Sequence, residues 1–132
     1  MTKILVHSKV LDDIQKNWYK TLGEEMPRVC RLLIQDGKMP GERLVHHIKS
    51  SSLQNKTFHA GINLPKENVS KRKGARIIYV KENFDLIKII YAGGHKDKHY
   101  DNSFLQVKLI EERYIAESYI QYTESLNFDR IK

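Results

Sequence analysis

The apolar positions change their period partway along this chain. In KVLDDIQKNWYKTL, Val10, Leu11, Ile14, Trp18 and Leu22 recur at the spacing of a helical face. Gly23 stops that helix. A second helix runs from about Glu24 to Gln35, with acids in its first turn, Pro27 early, and Val29, Leu32 and Leu33 on one side. Gly37 ends it, so the two read as a helical hairpin. Ahead of them, TKILVH over residues 2–7 reads as a short strand, and Ser8 as the N-cap of the first helix.

GERLVHHIKS reads as a further helical turn and SSSLQNK as a loop. From there the period becomes two. In TFHAGINLP, Phe58, Ala60, Ile62 and Leu64 alternate with His59, Gly61 and Asn63, the signature of a half-buried strand that Pro65 closes. KENVSKRKG is a polar, basic turn. ARIIYVKE is a second strand, with Ile78 and Val80 on one face and Ile77 and Tyr79 on the other. Glu82, Asn83 and Asp85 mark a tight turn around Phe84. LIKIIYA is nearly all apolar and reads as a central strand covered on both faces, ended by Gly93 and Gly94. Asp101, Asn102 and Ser103 offer N-caps for a last helix. Its buried stripe would be Phe104, Leu105, Val107, Ile110, Tyr114 and Ile115, with Tyr119 and Ile120 extending it.

Successive strands on short turns pair antiparallel. The expected fold is therefore α+β: two N-terminal helices packed on a small antiparallel sheet of three to four strands, with a C-terminal helix. The helices would gather on one face. At 132 residues a single domain spanning 1–132 is the default.

Charge adds a location. Of the Lys and Arg residues, 11 fall between His46 and Tyr100 against 4 Asp and Glu, and the rest of the chain holds 12 of each. The whole excess of +7 lies in that middle segment. Such an imbalance either attracts polyanions, of which nucleic acid is the commonest, or keeps a solvated face. No apolar run approaches the ~20 residues of a membrane span, and MTKILVHSKV has no cleavage signature. The single Cys30, set in RVCRLLI, reads as a buried structural thiol. A reducing cytoplasm fits these features.

The chemistry gathers past the third strand, in YAGGHKDKHYDN. His59 and Arg76 fall on neighbouring strands, and Lys96, His99 and Tyr100 lie just beyond the central one. Cleaving RNA without a metal needs a base for the 2′-OH, cations for the charged transition state and an acid for the leaving oxygen. His, Lys, Arg and Tyr can supply all three. Lys71, Arg72 and Lys73 in the basic turn, with His95 and Lys98, are the candidate RNA-contacting groups. His95 and His99 are four apart, a spacing that suits zinc on a helix, but no matching Cys or His pair completes a site. No metal or other cofactor is expected.

GARIIYVKE followed by LIKIIYAGGHKDKHY resembles the C-terminal half of the RelE/ParE superfamily of type II toxins. That family carries an Arg-x-x-Tyr-type strand, a hydrophobic strand, and a glycine before a basic cluster ending in Tyr. Here these are Arg76 and Tyr79, then Gly94, His95, Lys96, Asp97 and Tyr100. The resemblance covers roughly residues 3–115. It implies a ribosome-dependent mRNA endonuclease inhibited by a cognate antitoxin protein, with mRNA and the ribosome as further partners and no membrane. It also implies roles. Arg76 would bind phosphate and stabilise the transition state. Lys96 would hold the backbone or move a proton, and Tyr100 would stack on a base or orient the 2′-OH. His99 resembles the His of a His-Tyr pair in some relatives, where it is the acid or base. His59 matches a strand position where relatives place Lys, His or Glu.

Each residue also has a plainer reading. Tyr100 would anchor the last helix, Arg76 would sit in a sheet-edge ion pair, Asp97 would cap or orient a neighbour, Trp18 would be core, and Tyr79 and Tyr91 would be core or sheet-face residues. Two other functions stay open on the same fold: a non-catalytic nucleic-acid-binding or interaction module, and a gyrase inhibitor.

Overall fold

A computed structural model describes residues 2–16, 18–72 and 74–128. In chain order the elements are β1 (Lys3–His7), α1 (Ser8–Gln15), α2 (Leu22–Asp36), β2 (Arg43–Leu44), β3 (Thr57–Ile62), β4 (Ala75–Asn83), β5 (Leu86–Gly94), α3 (Lys98–Asp101), α4 (Ser103–Ala116) and β6 (Tyr119–Gln121). Pro65 opens a 3-10 turn between β3 and β4.

The class is α+β, but the expected small antiparallel sheet is not what forms. Among the described residues, six strands make one mixed sheet in the order β2-β3-β4-β5-β1-β6. β1 runs parallel to β5, with Lys3 opposite Leu86 and Val6 opposite Ile89. Every other neighbouring pair is antiparallel. The two added strands are two and three residues long, too short to carry a period. Arg43–Leu44 lies where a helical turn was expected. Tyr119 and Ile120 do not extend the last helix but form β6, because Glu117 takes a left-handed φ of 51° and breaks it.

The helices also depart from expectation. α1 ends at Gln15, so Trp18 lies in the connection to α2, and Gly23 sits inside α2 instead of stopping α1. His7, not Ser8, caps α1: its Nδ1 accepts from the Lys9 N–H at 3.1 Å. Gly37 does end α2, at φ 71°.

Helices cover both faces of the sheet, not one. On the first face α1 and α2 bring Val10, Leu11, Ile14, Met26, Val29 and Leu33 onto Ile4, Val6, Ala60, Ile62, Ile77, Tyr79 and Ile89. Cys30 is buried there, and burial pushes its thiol up to about 12. On the second face Ile78, Val80, Ile90 and Tyr91 meet Ile48, Leu53, Tyr100 and Ile110. The alternation read in ARIIYVKE matches these two layers, and β5 is buried on both sides as expected. α4 is turned from its predicted stripe. Gln106 and Ile110 are its buried residues, while Phe104 and Ile115 are 75% and 77% exposed.

β1 covers β5 only as far as Ile89. Beyond it, side chains satisfy the strand's free edge. The Ala92 N–H donates to Asp13 Oδ2 at 3.2 Å, and Arg113 donates to the Ile90 carbonyl at 2.9 Å. A backbone edge buried without such partners would be costly. Among the described residues no helix is long and apolar enough to cross a membrane.

Candidate functional site

The end of β5 is shaped by its two glycines. Gly94 takes φ 143°, and a Cβ there would lie 2.4 Å from the Gly74 carbonyl oxygen. A Cβ on Gly93 would lie 2.2 Å from the Tyr91 hydroxyl. With no side chains in the way, the Gly94 N–H donates to Tyr91 Oη at 3.0 Å, and Tyr91 donates to Asp97 Oδ2 at 2.9 Å. Asp97 Oδ1 accepts from the His99 N–H at 3.0 Å and so caps α3. This chain of bonds fixes the single turn of α3 over the sheet.

Tyr100 is the result. Its ring stacks on Tyr91 at 5.8 Å and 15°, and His95 meets it edge-on at 5.3 Å. Its hydroxyl lies 3.1 Å from His59 Nδ1 on β3. Burial lowers the His59 imidazole below its ordinary value, and the charges of Arg76 and Arg43 push the same way. Burial raises the Tyr100 phenol, and the positive Arg76 opposes that rise. A neutral imidazole beside a protonated phenol leaves one hydrogen bond between them, its direction set by the His59 tautomer.

Arg76 is the third member. It pairs with Gly61 across β3 and β4, and a Cβ on Gly61 would come within 2.8 Å of Arg76 Nη1. The guanidinium therefore lies over the bare strand. It donates to the Lys71 carbonyl, to the Ala75 carbonyl at 3.2 Å and to the Arg72 carbonyl at 3.0 Å. These bonds tie the basic turn to the sheet. Glu67 anchors the same segment from the other side, accepting from the Thr21 N–H and hydroxyl, each at 2.6 Å.

The remaining candidates divide. Lys96 turns to the α1–α2 connection, donating to the Trp18 carbonyl at 2.8 Å with its ammonium 4.7 Å from the Tyr19 ring centre. His99 faces away from Tyr100. Its Nδ1 lies 3.2 Å from Asp97, and with Asp13 and Arg113 it lines a cleft of about 590 Å³ along α1 and α4. His95 is exposed and holds Asp101 at 2.6 Å. Lys71, Arg72 and Lys98 are exposed, while Lys73 lies outside the described residues. So His59, Arg76, Tyr100 and His95 are brought together, whereas Lys96 and His99 are not. Among the described residues no group of three or more His, Cys, Asp or Glu is placed to hold a metal ion.

Two participants carried no sequence signal. Tyr91 read as core, and it is, yet it is also the platform under Tyr100. Gln106 bridges the site from α4, its Nε2 donating to the Tyr100 carbonyl at 2.7 Å and its Oε1 lying 3.3 Å from His47 Nε2.

No protein-family model, no curated protein and no solved structure matches the chain.

Proposed function

We propose that this protein is an RNA-cleaving toxin of a type II toxin-antitoxin system, similar to the RelE/ParE superfamily, cutting mRNA on the ribosome without a metal. The observation that carries this reading is the Tyr100–His59 hydrogen bond beside the Arg76 charge, in the basic part of the chain. A substrate 2′-OH gives its proton to the pair as its oxygen attacks phosphorus. The bond to the 5′-oxygen breaks, and that oxygen takes a proton from the pair, leaving a 2′,3′-cyclic phosphate and a 5′-hydroxyl. The proton count of the pair is unchanged. Arg76 stabilises the added charge on the phosphate, and Lys71, Arg72, Lys98 and His95 hold flanking phosphates. The partners would be mRNA, the ribosome and a protein antitoxin, and the compartment the cytoplasm.

Induced expression tests this, with growth followed and mRNA ends mapped by primer extension. Growth arrest with new mRNA ends, absent for Tyr100→Phe and His59→Ala, is the expected result. Intact mRNA during arrest would end the nuclease reading.

A second reading has its own support. The Arg76 guanidinium is occupied by three backbone carbonyls, and Tyr100 is only 7% exposed. Both fit a site that binds nucleic acid without cutting it. Under that reading Tyr100→Phe keeps the biological effect, whereas Lys71→Glu with Arg72→Glu removes it.

A further inference from the structure

Phe104 is the second residue of α4 and is 75% exposed. A single exposed apolar side chain is ordinary on a protein surface, so the ring matters here for what stands beside it. Beside it His47, Val107, Lys108 and Glu111 line an open cleft of about 430 Å³. This cleft is joined to the candidate site by two hydrogen bonds. His47 Nε2 lies 3.3 Å from Gln106 Oε1, and Gln106 Nε2 donates to the Tyr100 carbonyl at 2.7 Å.

The chemistry of the cleft is that of a nucleotide. An aromatic face and Val107 suit the flat apolar surface of a base. Lys108 offers a cation at the rim, and His47 and Glu111 offer polar groups for a base edge. Single-stranded RNA is recognised in this way, by bases splayed out and stacked on aromatic rings beside a basic track. From this continuity we propose that Phe104 and His47 form a base-stacking subsite for single-stranded RNA, holding a nucleotide that flanks the one at His59 and Tyr100. The inference rests on the nucleic-acid reading above and adds to it where the strand runs: from the sheet edge, past Tyr100, onto the N-terminal turn of α4.

The test is fluorescence anisotropy of the full chain with a short, fluorescein-labelled, 2′-O-methylated RNA, which cannot be cleaved through its 2′-oxygen. An abasic strand of the same length is the control. Phe104→Ala should weaken binding of the base-bearing strand by roughly ten-fold, within the range measured for one base–aromatic stack. Phe104→Tyr should restore it, and both variants should bind the abasic strand as wild type does. Equal binding of the base-bearing strand by wild type and Phe104→Ala would overturn the subsite and leave the nucleic-acid reading standing. A loss that is the same on the abasic strand would also overturn it. Wild-type protein that binds neither strand, with Lys71→Glu making no difference, would overturn both. Because Phe104 is exposed, its replacement leaves the core intact.

Discussion

Arg113 on α4 grips Asp13 on α1 through both carboxylate oxygens, at 2.6 and 2.8 Å. The same guanidinium reaches the Ile90 carbonyl, and the same carboxylate takes the Ala92 N–H. Two helices are thus fastened to each other and to the half of the β5 edge that β1 leaves bare. Burial raises the Asp13 carboxyl above its ordinary value, with the Arg113 hydrogen bonds pulling it back.

Asp13→Ala should therefore leave a buried guanidinium and an unpaired N–H, costing about 3–5 kcal/mol. Asp13→Leu with Arg113→Met should cost clearly less than the sum of the two single changes, since no charge is stranded. Urea unfolding of the four proteins measures this, and strictly additive losses would contradict it.

Tyr100→Phe removes one hydroxyl and keeps the stacked ring. On the proposed nuclease reading, cleavage should fall by roughly 10²-fold or more, within the range of a lost proton-transfer group, while the melting temperature changes little. Lys96→Ala should lower cleavage far less, because its ammonium is spent on the Trp18 carbonyl. Single-turnover rates on programmed ribosomes would show whether the two variants separate.

Acid should loosen the fold. His59 and His7 both have folded-state values below the ordinary 6.5, mainly through burial. On acidification the unfolded chain takes up these protons first. Stability is then full above 6.5 and declines as pH falls through 6.5 toward the folded values. Urea midpoints at about pH 7.5 and about pH 5.5 should differ in that direction, and His59→Gln should flatten part of the slope. A midpoint that rises in acid would refute the assignment.

Gly94→Ala should destabilise by at least about 2 kcal/mol, combining an unfavourable φ with contact against the Gly74 carbonyl. Because the turn aims α3, the variant should also lose the Tyr100–His59 contact. Thermal melts and the side-chain resonances of His59 would report the two effects separately.

The Cys30 thiol, raised to about 12 by burial, should react slowly with thiol reagents in the native protein and rapidly in denaturant. Fast native labelling would mean that α2 opens.

β3 and β4 were legible in the sequence through their period of two, and β5 through a continuous apolar run that is buried on both faces. β1 was legible as a strand, but its partner was not. Its parallel pairing with β5 joins two strands that have α1, α2 and β2–β4 between them in the chain, and no local pattern encodes it. Trp18 fell at helical spacing by coincidence, since it packs against the core from a loop. At the site, Arg76, His59 and Tyr100 were legible because strand register and a glycine turn place them. His99 was not, because one residue along a helical turn rotates a side chain by about 100°. Adjacent in the chain, His99 and Tyr100 look into different parts of the molecule.

The parallel pairing of β1 with β5 also orders events in time. Lys3–His7 is synthesised well before its strand neighbours: one edge waits for Leu86–Gly94, and the other for Tyr119–Gln121. β5 in turn is unflanked on one side until β1 closes onto it. Contacts so far apart in sequence are slow to form and reward the chain only late. The turn that positions Tyr100 grows directly out of β5, so an incomplete chain would carry the residues of the site without the framework that aims them. On the proposed toxin reading, the chain would thus stay harmless to the ribosome making it until most of the sheet had been synthesised.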